Sequence, residues 1–307
     1  MRAWIANTDF EWYRFLSARP EIDEISFWRP SGGAFRVLAP GEPLLFRLKA
    51  PYNAIAGVGF FVYFSVLPAS LAWAAFGLKN GAASEEDMRT RIDSYRRRRG
   101  QGEDPGADYK IGCIILAEPT FFSQAEWIPQ PLDWRPQTEV GRTEDLSEGE
   151  GLRIWRAIIE RLQGRRTAEA SPGGARYGAS QSVRPRLGQG AFRVIVTDVY
   201  DRRCALTGER TLPVLEAAHI KPYAVGGAHD ITNGLLLRSD LHTLFDRGYL
   251  TVTPKYHVEV SRRIRQEYEN GHEYYALSGR ELRPPRIESA LPDPVLLDWH
   301  NRHRFLG

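Results

Sequence analysis

The stretch from Cys204 to Ser261 constrains this chain more than any other. Each of its apolar runs is short, and turn residues separate them. Leu212 to Ile220 is apolar and partly alternating, which predicts a strand. A strand's period of two puts Leu215, Ala217 and His219 on one face and Val214, Glu216 and Ala218 on the other. Gly226-Gly227 then demands a loop. Leu235-Leu236-Leu237 predicts a second strand. Ser239 suits an N-cap and Gly248 suits the residue past a helix end, so Asp240 to Arg247 predicts about two helical turns. Tyr249 to Thr253 and His257 to Ser261 predict a hairpin over Pro254-Lys255.

This order brings a small set of chemical groups together. Asn233 follows His219 by fourteen residues, and His242 follows Asn233 by nine. His242 and Asp246, four apart, share one helical face. An imidazole and a carboxylate so placed can hold a divalent ion, and N/O donors suit Mg²⁺ or Mn²⁺, or Ni²⁺ or Co²⁺, better than a soft thiolate-loving metal. Taken alone, a histidine on a strand is more often structural than catalytic; the ordered set with its helix shifts the balance to function. An acid at position 246 opposes the helix dipole, which favours a ligand role for it. His229, in the glycine-rich loop, reads as solvated. His257, His272, His300 and His303 have no matching context. The two cysteines, Cys113 and Cys204, exclude a structural Cys₄ zinc and a disulfide framework, and fit a reducing cytoplasm.

The elements "AAHI.P", "NG" before an apolar triplet and "LH..FD.G" occur together and in order over roughly residues 190–262. This segment resembles the HNH nuclease family, with its ββα-metal module. The resemblance implies that His219 activates water as general base, Asn233 holds the His219 loop and ring, and His242 and Asp246 bind the metal. One departure stands out. Many members carry a metal-binding Asp or His directly before the general base, where this chain has Ala218. Glu216, on the same strand face, could reach the metal through water.

The rest of the chain is long enough for a second core. Its opening Met1 to Asp9 is no signal peptide, and no uncharged apolar run reaches membrane-spanning length. Trp4-Ile5-Ala6, Ile25 to Trp28, Pro43 to Leu48, Ile55 to Leu67 and Ile111 to Leu116 predict strands. Helices are predicted after Asp9, over Ser70 to Phe76, and from Ser84 to about Arg99. "WIANTD", "GEPLLFRLKAP" and "IAGVGFFVYFSVLP" resemble the PUA-like superfamily, which includes the EVE and ASCH domains. "AWAAFGLKNGAASEEDMRTRI" and "IGCIILAEPTFF" are similar to the N-terminal part of restriction endonucleases that end in HNH. The resemblance implies a β-barrel that reads nucleic acid, in related domains by receiving a flipped, modified base. Trp28, Tyr52, Trp73 and Phe121 could stack on such a base and Asn53 could hydrogen-bond to it; each aromatic taken singly reads better as core.

The expected class is therefore α+β, with three segments: residues 1–140 as a PUA-like reader of DNA, 141–190 as a helix and basic linker, and 191–307 as the nuclease with a C-terminal extension. Leu152 to Leu162 has helical period. Gly164 to Gly190, with Arg165, Arg166, Arg176, Arg184 and Arg186, reads as a mobile tether. Formal charge is only +3, so DNA contacts must come from local patches. Arg96, Arg97, Arg98 and Arg99 form one, and Arg262, Arg263 and Arg265 another. The expected function is a modification-dependent, type IV-like restriction endonuclease acting on double-stranded DNA, most simply at a 5-substituted cytosine. A homodimer is open. The alternatives are an HNH endonuclease or nickase indifferent to modification, and a non-catalytic nucleic-acid-binding protein on the same scaffold.

Overall fold

The structure, a computed structural model, describes residues 1–98, 100, 108–169 and 187–307. The expectations placed on Arg99, Arg176, Arg184 and Arg186, and on the side chain of Arg166, lie outside the described residues. The chain divides into two compact units, Met1–Arg186 and Leu187–Gly307. Both mix helix and sheet, so the class is α+β.

The first unit runs β1 (Arg2–Thr8), α1 (Phe10–Ser17), β2 (Glu24–Arg29), β3 (Pro43–Leu48), β4 (Ala54–Pro68), α2 (Ala69–Phe76), α3 (Glu85–Arg98), β5 (Lys110–Phe121), β6 (Ile128–Pro129), β7 (Gly141–Asp145) and α4 (Gly149–Glu169). Local chemistry explains the helix starts. The Asp9 carboxylate accepts from the Glu11 and Trp12 amides, and the Ser84 hydroxyl accepts from the Asp87 amide, each satisfying orphan donors of a first turn. The strands form one seven-stranded sheet in the order β2-β5-β4-β3-β1-β7, with β6 on β4. β1 and β3 are parallel.

Both faces of the sheet are buried, which is why β3 reads as a nearly unbroken apolar run. Leu44 and Phe46 pack with Trp12, Leu16, Ile25 and Leu116 on one side. Leu45 packs with Ile5, Val58, Phe122 and Ile154 on the other. No ladder joins β2 to β7 among the described residues, so the expected closed barrel is here a sheet with two ends. Other elements cover those ends, which blunts exposed strand edges. Lys79, following α2, reaches Asp23 and Glu24 beside β2, and α4 packs against β7. α4 also runs through Gly164 to Glu169, where a tether was expected. Arg161, just before that stretch, and Arg165, within it, bond to Glu126, giving the helix tertiary anchors.

The second unit runs α5 (Gln189–Val199), β8 (Leu215–His219), β9 (Gly234–Arg238), α6 (Ser239–Asp246), β10 (Leu250–Val252), β11 (Val258–Val260), α7 (Arg263–Tyr268), α8 (His272–Tyr275) and α9 (Pro294–His303). β8 pairs with β9, and β10 with β11, both antiparallel. Two expectations shift. Leu212–Val214 is a 3₁₀ turn, because Pro213 has no N–H for a ladder, so the strand starts at Leu215. Ser239 is the first residue of α6, and Arg238 is its cap, with no side-chain hydrogen bond. The helix ends as expected at Gly248, with φ +77°; a Cβ there would lie 2.0 Å from the Arg304 carbonyl oxygen. His300, assigned no role from sequence, is 2% exposed. Its Nε2 donates to the Phe245 carbonyl at 3.1 Å and its Nδ1 accepts from the Thr251 hydroxyl at 2.8 Å. It pins α9 to α6 and β10.

Candidate active site

α5, β8 and α6 contribute to an open cleft of about 530 Å³, lined among others by Glu216, His219, Tyr223, His242 and Asp246. His219 is the last residue of β8, paired in register with Gly234. Its ring lies flat on Phe192 of α5, centroids 3.9 Å apart and planes 12° from parallel. Burial pushes its pKa down to about 4, and nearby His229 and His242 push the same way. It is therefore neutral at pH 7, the form able to accept a proton.

Asn233 sits just before β9, 1% exposed. Its side-chain oxygen accepts from the Lys221 amide at 2.8 Å. Its amide group donates to the carbonyls of Lys221 and Ala228, both at 2.9 Å. One buried carboxamide thus ties together the two ends of the loop that leaves His219. Gly227 lets that loop close, since a Cβ there would lie 1.9 Å from the Lys221 carbonyl oxygen.

His229 lies at the end of the same loop. Its Nδ1 is 2.9 Å from His219 Nε2, and its ring stacks on Tyr223 at 4.6 Å. The glycine-rich loop predicts a solvated side chain, and the structure sets it against His219 instead. The ten-residue separation has no strand or helix periodicity, so the only available signal was the glycine pair that folds the loop back.

On α6, His242 stands between two carboxylates. Nδ1 is 2.6 Å from Glu216 Oε2 and Nε2 is 3.4 Å from Asp246 Oδ2. Position 218, where an acid was missed, holds a fully buried alanine. Glu216, one strand period earlier, delivers a carboxylate to the same histidine. Behind the site, Arg238 grips Asp240 through two 2.7 Å hydrogen bonds, which hold the Asp240 pKa below its usual range.

The donors fit a divalent cation in a specific way. Hard oxygens and an imidazole face a wide cleft, but no three His, Cys, Asp or Glu among the described residues form a ready cage. Such a set suits an ion that keeps water and takes further oxygens from a phosphate. Arg193 and Arg304 also line the cleft; neither was singled out from sequence. Arg262, Arg263 and Arg265, which were, are exposed around the start of α7 and do not line it.

The five aromatic and amide candidates of the first unit are not gathered. Trp28 lines a cavity of about 110 Å³, and Asn53 lines another of about 700 Å³. Phe121 stacks on Phe46 in the core. Tyr52 stacks on Phe10. Trp73, half-buried on α2, lines neither cavity. Of the basic run, Arg96 donates to the Pro30 carbonyl, Arg97 is exposed, and Arg98 lines the larger cavity.

No curated protein matches this chain. Similar solved structures include ASCH from Zymomonas mobilis, 11% identical with a TM-score of 0.34, covering 50% of this chain and 94% of that one. A mutant of that protein gives 10% and 0.32, over 50% and 96%. A modification dependent TagI restriction endonuclease is 14% identical with a TM-score of 0.28, over 93% of this chain and 76% of that one. Scores of this size do not transfer those proteins' activities. Residues 204–253 match the family model described as HNH endonuclease, a span that holds β8, the Asn233 loop, β9 and α6. The second unit therefore carries an HNH endonuclease domain.

Proposed function

We propose that this protein is a divalent-metal-dependent endonuclease that cuts double-stranded DNA, selected by the first unit through a modified base, most simply a 5-substituted cytosine. The observation that carries the nuclease half is the sharing of one cleft by a neutral His219 and a carboxylate-flanked His242. In this reading His219 accepts the proton of the attacking water. Asn233 fixes the loop that sets the position of the ring. His242 and Asp246 hold the metal, with Glu216 able to contribute from the other side of the imidazole. When bound, the ion stabilises negative charge on the phosphate and on the leaving oxygen. Arg193 and Arg304 hold the backbone by charge.

The modified-base half is supported by the cavity that Trp28 shares with Trp12, Phe27 and Tyr95. The indole N–H groups of Trp12 and Trp28 both donate to the Asn80 carbonyl, each at 3.0 Å. Their polar edges are thus occupied, and they wall the cavity as apolar rings, as stacking requires. The direct test is cleavage of matched DNAs carrying cytosine, 5-methyl-, 5-hydroxymethyl- and glucosylated cytosine. Equal cutting of all four would leave a nuclease indifferent to modification.

A further inference from the structure

Arg47 is the one charged residue of β3, and it is 5% exposed. Among the described residues, each of its hydrogen bonds goes to a neutral amide oxygen. Nε and Nη2 donate to Gln130 Oε1, at 2.8 and 2.5 Å. Nη1 donates to Asn7 Oδ1 at 2.6 Å and Nη2 to Asn53 Oδ1 at 3.0 Å. Its guanidinium also lies over the Trp134 ring, 4.4 Å from the centroid. Burial without a carboxylate partner disfavours the charge and lowers its pKa, yet arginine stays protonated in proteins. A buried, charge-uncompensated cation is costly, and an arriving anion offsets that cost.

The surroundings are also short of acceptors. Arginine has five N–H groups and only donates; four hydrogen bonds leave one N–H on Nη1. Because arginine accepts nothing, the amide oxygens of Asn53 and Gln130 must face it, and their NH₂ groups face away. Neither NH₂ group has an acceptor among the described residues, while both residues line the 700 Å³ cavity beside Arg47. Asn53 is held there with φ +48°, a left-handed conformation that asparagine tolerates. Lys49 and Arg98 line the same cavity, and among the described residues Glu139 is the one carboxylate in its lining against three cations. Asn7, Lys49, Tyr95 and Glu139 line both this cavity and the aromatic one that holds Trp28, so the two adjoin.

We propose that the Arg47 cavity is an anion subsite that takes the phosphate of a nucleotide whose base enters the adjoining Trp28 cavity. The assignment of the anion to a nucleotide rests on the reading of the first unit as a binder of nucleic acid. The anion subsite itself rests on Arg47 and its donor-rich surroundings. Charge-assisted hydrogen bonds of this kind are roughly twice as strong as neutral ones, and a phosphate would gather several from preplaced donors.

The test is calorimetric titration of the full chain with dCMP, deoxycytidine and 5-methyl-dCMP. The account predicts dCMP binding about tenfold or more tighter than deoxycytidine, an advantage that shrinks as salt rises. Arg47→Met should remove that advantage. If Arg47→Met does not fold, the exposed Arg98→Ala, at a position that lines only the larger cavity, should cut it by several-fold, with deoxycytidine unaffected. Equal binding of dCMP and deoxycytidine, or an undiminished dCMP advantage in the folded variants, would overturn the proposal. The ratio of 5-methyl-dCMP to dCMP reports separately on the modified-base reading, so either idea can fail without the other.

Discussion

His219 Nε2 and His229 Nδ1 lie 2.9 Å apart, with Phe192 stacked on the first ring and Tyr223 on the second. These contacts hold the His219 ring in a fixed orientation. Removing the base by His219→Ala should lower the cleavage rate by at least about a hundredfold, the low end of general-base effects, with DNA binding nearly unchanged. Single-turnover cleavage and a gel-shift titration on the same samples check both parts.

Asn233→Ala would delete three hydrogen bonds from a buried site and strand the Lys221 amide. The expected cost is about 2–4 kcal/mol of stability in the second unit, with activity falling beyond what the unfolded fraction explains. Urea denaturation compared with cleavage by the folded fraction separates the two effects.

Metal binding should depend on α6. His242→Ala should weaken Mn²⁺ binding strongly, and Asp246→Asn more mildly, because the half-exposed carboxylate has water as a substitute. Glu216→Gln tests whether the opposite carboxylate contributes. Mn²⁺ titration by calorimetry ranks the three, and a flat ranking would remove α6 from the metal site.

Acid should destabilise the second unit through His300. Its pKa is pushed down to about 4, mainly by burial, against about 6.5 unfolded. As pH falls from 6.5 toward 4, the unfolded chain takes a proton that the folded chain refuses, so stability is lost across that window and is complete above it. The loss is of order 3 kcal/mol. His300→Gln should flatten the dependence of Tm on pH between 4 and 6.5 while lowering Tm at pH 7.

Much of the second unit was legible because its signals are local. The strand pair, the glycine stop at 248 and the i,i+4 spacing of His242 and Asp246 each follow from neighbours in sequence. What escaped depended on contacts between distant positions. His229 meets His219 only because the loop folds back under Asn233. Pro213 shortens β8 by removing a ladder donor, although the apolar pattern runs on through it. In the first unit, strands and helix caps were readable, but Phe121 and Tyr52 look alike in sequence to Trp28. Only packing shows that one stacks in the core, one on Phe10, and one beside a cavity. Arg47 was invisible inside "LLFRL", where a charge on a two-sided buried strand is expected to be an exception without a stated role.

The central claim, a metal-dependent nuclease site built from His219 and His242, is tested most directly by one plasmid experiment. Supercoiled DNA carrying 5-methylcytosine is incubated with the full chain and with its His219→Ala variant, in Mn²⁺ and in EDTA. The account predicts cutting only by the unaltered chain and only with the ion present. Cutting in EDTA, or undiminished cutting by His219→Ala, would contradict it.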